Sequence, residues 1–99
     1  MVSDEGTKDP QAQGAEELLR FPTDYPIKVV GRASDELRAH VHAVMLRHVP
    51  QLDPDRVSER LSEEGKYLSI TYTIVAESRE QIVALVNDLK TTDGVMMII

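Results

Sequence analysis

Apolar positions recur along this chain with two spacings, one of two residues and one near 3.6, and the changes between them mark its elements. Over Tyr25 to Gly31, Ile27 and Val29 share one face of a strand and Lys28 and Val30 the other. Pro26 stands at its start, where a missing N–H costs least. From Ser34 the period lengthens. Leu37, Val41, Val44, Met45 and His48 fall on one side of an α-helix that Ser34 caps and Pro50 closes, with Asp35 and Glu36 at its positive end. Asp55 to Glu63 reads as a strand, with Val57 and Leu61 alternating with Ser58, Arg60 and Ser62, and Glu59 on the apolar side suggests an edge strand or a bent one. Glu63-Glu64-Gly65-Lys66 makes a hairpin turn in which Gly65 supplies positive φ. Tyr67 to Ala76 alternates strictly: Leu68, Ile70, Tyr72 and Ile74 face one way and Ser69, Thr71 and Thr73 the other. Ser78 caps a second helix, Gln81 completes a capping box, and Ile82, Leu85, Val86 and Leu89 form its buried stripe. After Asp93-Gly94 comes a last strand, Val95 to Ile99.

The order is β-α-β-β-α-β. Two β-α-β halves predict an α+β, ferredoxin-like sandwich: a four-stranded antiparallel sheet with both helices on one face. An internal match supports this, because Val29 to Leu37 and Ile74 to Ile82 are the same strand-to-helix unit used twice. Residues 15–99 are expected to form this single domain. Residues 1–14 are polar and lack periodicity, which predicts a disordered tail. Ala15 to Arg20 is expected to make one helical turn that docks Leu18 and Leu19, and Phe21 to anchor the tail to the core.

Composition narrows the function classes. The net charge of −6 over 99 residues leaves no polybasic patch, which argues against nucleic acid and against an anionic membrane surface as partners. Five acids and two bases fall in residues 1–20, so this opening stretch carries half of that charge. There is no cysteine, hence no disulfide, thiol chemistry or cysteine-ligated metal. No segment approaches the ~20 apolar residues of a membrane span, and the opening residues lack the apolar run of a signal peptide. The expected location is cytoplasmic.

Candidate chemistry is sparse. His40, His42 and His48 on the first helix are spaced by two and six, not by the four that lets two rings share an ion. No metal, no cofactor and no catalytic residue is expected. The carboxylate pairs Glu16-Glu17 and Glu63-Glu64 lie in solvated segments, with no apolar pocket to raise a pKa. Acylphosphatases and RNA-recognition domains share the predicted topology. The first need a longer glycine-rich loop and an asparagine on the second strand, and the second need aromatic residues on the central strands, where Tyr67 stands alone. Two places remain. The turn Gly31-Arg32-Ala33-Ser34 leads into a helix N-terminus, where free N–H groups and the Arg32 guanidinium suit a small anionic ligand. At the matching second turn Glu77 repels an anion. The second place is Val95-Met96-Met97-Ile98-Ile99, apolar on both faces where a half-buried strand alternates. Val95, Met96, Met97 and Ile98 are therefore a candidate interaction surface, for a partner protein or a second copy in a homodimer.

Leu18-Leu19-Arg20-Phe21-Pro22, then Ile27-Lys28-Val29-Val30-Gly31, then Gly65-Lys66-Tyr67-Leu68-Ser69-Ile70-Thr71, together resemble the YbeD-like family of small bacterial proteins of unknown function, over residues 16–99. The resemblance implies a ferredoxin-like domain similar to ACT-type regulatory domains. Those bind amino acids or other small effectors near the first strand-to-helix turn, often at a dimer interface, which here implies Gly31, Arg32, Ala33 and Ser34. The expected function is a non-enzymatic binding or regulatory module for a small effector or partner protein. The alternative is an interaction adaptor that uses the C-terminal strand and the open sheet face.

Overall fold

The computed structural model of the protein describes residues 20–99. Its elements run β1 (Thr23–Arg32), α1 (Asp35–His48), a short 3-10 turn (Pro54–Arg56), β2 (Val57–Leu61), β3 (Tyr67–Ala76), α2 (Arg79–Lys90) and β4 (Val95–Ile98). The four strands form one antiparallel sheet in the order β2-β3-β1-β4, the ferredoxin-like arrangement, with both helices on one face. The expected tail over residues 1–14 and the docking of Leu18 and Leu19 lie outside the described residues. Phe21 is partly buried against the core, while the tail it is expected to anchor lies outside the described residues.

The alternation in the sequence becomes the two faces of the sheet. Ile27 and Val29 on β1 lie beside Leu68, Ile70, Tyr72, Ile74 and Ala76 on β3, all on the side that faces the helices. Against them α1 places Leu37, Val41, Val44 and Met45, and α2 places Ile82, Leu85 and Leu89, all buried. Burying each such side chain contributes about 1.5–3 kcal/mol before the entropy of ordering it. The helices start where hydroxyls meet free N–H groups: Ser34 Oγ accepts from the Leu37 amide at 2.9 Å, and Ser78 Oγ from that of Gln81 at 3.1 Å. Gln81 returns the bond one residue earlier than a capping box does. Its Oε1 accepts from the Glu77 amide, while its Nε2 donates to the His48 carbonyl at 2.9 Å and ties the end of α1 to the start of α2.

Two details depart from the sequence expectation, and a third, Glu59 on the apolar side of an edge strand, agrees with it. The strand expected from Asp55 starts at Val57, because Asp53 caps a 3-10 turn beginning at Pro54, its carboxylate accepting from the Asp55 amide at 2.9 Å. Glu59, on the apolar side of β2, is held there by Arg38 of α1, with contacts of 2.9 and 3.0 Å. And β4 is bulged. Val30 lies opposite Met97 but Gly31 opposite Val95, which leaves Met96 as the extra residue. The bulge explains the missing alternation: Val95 and Ile98 both turn to the core, while Met96 and Met97 are exposed.

Candidate functional site

The four residues of the first turn are engaged separately. Gly31 is buried, and a Cβ there would meet the Gly94 carbonyl oxygen and lie 2.9 Å from Leu37 Cδ2, so this glycine lets β1, β4 and α1 close on one another. The Ala33 amide donates to the Lys66 carbonyl at 2.8 Å. The Ser34 hydroxyl is taken by its capping bond. Arg32, at the end of β1, lies on the other face of the sheet from the helices. Its guanidinium carbon sits 5.9 Å from the centroid of the Tyr67 ring, within cation–π reach.

The open face of the sheet is where Arg32 belongs. Partners across the ladders share a face, so the register lays out rows. One runs Ile99, Lys28, Thr71, Ser58; the next Met97, Val30, Ser69, Arg60; the third Arg32, Tyr67. Ile99 joins the first through two backbone bonds to Lys28, of 2.9 and 3.1 Å. Lys28, Arg32 and Arg60 are all exposed, and among the described residues none of them makes an ion pair. Cations elsewhere are held by nearby acids, as Arg38 is by Asp35 and Glu59 and Arg47 by Asp88. The acid that these strands carry on the open face is Asp24, at its margin. It pairs with Arg56 at 3.0 Å, and that guanidinium holds the Asp24 carboxyl below the usual carboxylate range. Beside the cations lie exposed apolar side chains, Met97 at 53% and Ile99 at 68%. A protein of net charge −6 thus carries a cationic, partly apolar surface over the middle of one sheet face.

Period-two alternation assigns Lys28, Ser69 and Arg60 each to the polar side of its own strand, and does not say which strands are neighbours. Arg60 joins Lys28 only through the β2–β3–β1 register, a contact between segments some thirty residues apart that no local pattern records. Val95, Met96, Met97 and Ile98, read together as one surface, divide: Met97 borders the cations and Met96 is exposed, while Val95 and Ile98 are partly buried.

Elsewhere, a cleft of about 430 Å³ opens at the opposite end of the domain from the first turn, among Val49, Leu52, Asp53, Arg56, Ile74 and Gln81. Of the histidines, His40 and His42 are exposed, and His48 is half-buried with Nε2 2.9 Å from Asp88 Oδ2. Among the described residues no three His, Asp or Glu side chains are grouped as a metal site, and no helix is long and apolar enough to cross a membrane.

Comparison with known proteins adds family and fold. A family model described as a protein of unknown function (DUF493) matches residues 16–99. A UPF0250 protein of Shewanella woodyi is 41% identical over 85 residues, 85% of this chain and 93% of that one. A UPF0250 protein of Hahella chejuensis is 37% identical over 81 residues, 82% of this chain and 89% of its own length. Among solved structures, the ACT domain from GTP pyrophosphokinase of Chlorobium tepidum aligns with a TM-score of 0.54 at 17% identity, over 78% of this chain and 97% of that one. The C-terminal domain of the MgtC protein from Mycobacterium tuberculosis aligns at 0.60 and 15% identity, over 83% and 89%. At such identities the likeness is one of fold.

Proposed function

This chain belongs to the DUF493 family of proteins of unknown function, and from that premise we propose that it is a non-enzymatic binding module that docks an acidic segment of a partner protein on the open face of its sheet. The observation that carries this is the grouping of Lys28, Arg32 and Arg60, without carboxylate partners, among exposed apolar side chains on an otherwise acidic domain. Unpaired cations on one face, with net negative charge elsewhere, orient an acidic partner and turn that face away from a second copy of itself, since two such faces would set six cations against one another. Met97, Val30 and Ile99 supply the apolar contact that charge alone does not, and methionine adapts to the shape it meets. Of the four first-turn residues only Arg32 enters this reading, because Gly31, Ala33 and Ser34 are engaged in packing, a strand-to-turn hydrogen bond and a helix cap. A regulatory role is in keeping with the fold, which is shared with the ACT domain of a GTP pyrophosphokinase.

Photo-cross-linking tests the proposal. A photoreactive residue replaces Val30 on the open face or, as a control, exposed Val83 on α2. In a lysate of the native cell, the Val30 position is expected to capture a partner through an acidic peptide identifiable by mass spectrometry. Combining it with Lys28→Glu and Arg60→Glu should reduce capture about tenfold. Equal capture from Val83, or capture indifferent to the charge reversals, sinks the proposal.

A further inference from the structure

On the helix side, the two helices do not cover the whole sheet. Between α1 and β2 a groove of about 590 Å³ remains, with Ala39, Pro54 and Val57 as its apolar lining and Arg38, His42 and Glu59 among its polar lining. Tyr72 of β3 forms part of it from beneath, opposite Val57 on β2 and Ile27 on β1.

Tyr72 is the anomaly. It is 1% exposed, yet its hydroxyl makes no hydrogen bond to any described residue. Buried polar groups in folded proteins are nearly always paired, and an unmet donor destabilises the fold. Phenylalanine would fill the same space without that cost. Burial pushes the phenol up to about 12, with Glu59 adding to the effect, so the group stays a protonated donor. Arg38 is already engaged: Nε and Nη2 donate to the two Glu59 oxygens at 2.9 and 3.0 Å, and Nη1 to Asp35 Oδ1 at 2.9 Å. Two carboxylates against one guanidinium leave the rim net negative, which repels an anion and draws a cation. Each Glu59 oxygen keeps a free lone pair.

We propose that this groove is a binding site for a small organic amine that carries a hydroxyl or carbonyl oxygen on an apolar body. The ammonium donates to Glu59, the oxygen accepts from the Tyr72 hydroxyl, and the apolar part lies against Ala39, Pro54 and Val57. The site is on the opposite face of the sheet from the partner surface, so it stands or falls separately from it.

Two matched probes test this on the full chain by amide NMR titration: 2-amino-1-phenylethanol, and mandelate, which keeps the phenyl and hydroxyl groups but ends in a carboxylate. The amine should shift the amides of Ala39, Val57, Glu59 and Tyr72 saturably, and mandelate should not. Tyr72→Phe should weaken amine binding about fivefold, while its melting temperature equals or exceeds that of the wild type. The proposal is overturned by an absence of saturable shifts at those amides, by equal binding of mandelate, or by unchanged affinity in Tyr72→Phe. A clear fall in the melting temperature of Tyr72→Phe also overturns it, since the hydroxyl would then have a partner within the protein.

Discussion

At the scale of single residues, two positions matter most, and for opposite reasons. Gly31 matters for what it lacks. A methyl there would run into the Gly94 carbonyl and the Leu37 side chain, and a backbone carbonyl cannot rotate away as a flexible side chain can. Gly31→Ala is therefore expected to destabilise by about 2–4 kcal/mol, measured by urea unfolding. A loss under about 0.5 kcal/mol would show that the β1–β4 approach relaxes freely. Tyr72 matters for what it carries. Its phenol is raised from 10.0 to about 12 by burial. The native state thus holds this proton through a range in which the unfolded chain has lost it, and stability falls as pH rises above about 10. Tyr72→Phe should flatten that alkaline decline. An unchanged slope would place the ionisation elsewhere.

At the scale of elements, the helices and β3 are legible in the chain, and β2 and β4 only in part. Ser34 and Ser78 announce both helix starts, since a hydroxyl ahead of an apolar stripe is a local signal with a local cause. Ser78→Ala should cost about 1 kcal/mol, seen as a fall of about 4–8 °C in melting temperature. No change would mean that the Gln81 bonds to Glu77 and His48 hold the start of α2 alone. Strand β4 misleads because its run of apolar residues is interrupted by a bulge at Met96, which depends on how β1 pairs with it and leaves no mark of its own. For an exposed residue at this edge, Met97→Lys should change stability by less than about 0.5 kcal/mol. It should nevertheless weaken partner capture through the Val30 cross-linker. A large loss of stability would instead make Met97 part of the core.

At the scale of the whole molecule, charge is distributed unevenly, and the unevenness is a product of folding. Acids and bases are interspersed along the sequence, yet the sheet gathers Lys28, Arg32 and Arg60 on one face and leaves Asp24 paired at its margin. If the face docks an acidic segment, capture through Val30 should weaken steeply between 50 and 500 mM salt, roughly the range over which the Debye length falls from above 10 Å to about 4 Å. Binding indifferent to salt would assign the interaction to the apolar residues alone.

Read by itself, the chain determines its elements, their order and hence its fold, because alternation, helical stripes and serine caps each report a local backbone preference that the tertiary structure then satisfies. It also places Lys28 within the first strand and Arg32 in the turn from Gly31 to Ser34, which it singles out. Only the tertiary structure decides which of these residues meet. Gly31, Ala33 and Ser34 are absorbed into packing, a hydrogen bond and a cap, Arg32 passes to the open face beside Tyr67, and Arg60 arrives there from another strand. The same holds for the Tyr72 groove, whose residues come from α1, the 3-10 turn, β2 and β3. Periodicity is a property of neighbours along the chain, whereas a site is a property of neighbours across the sheet. The register that joins them is set by the packed core as a whole.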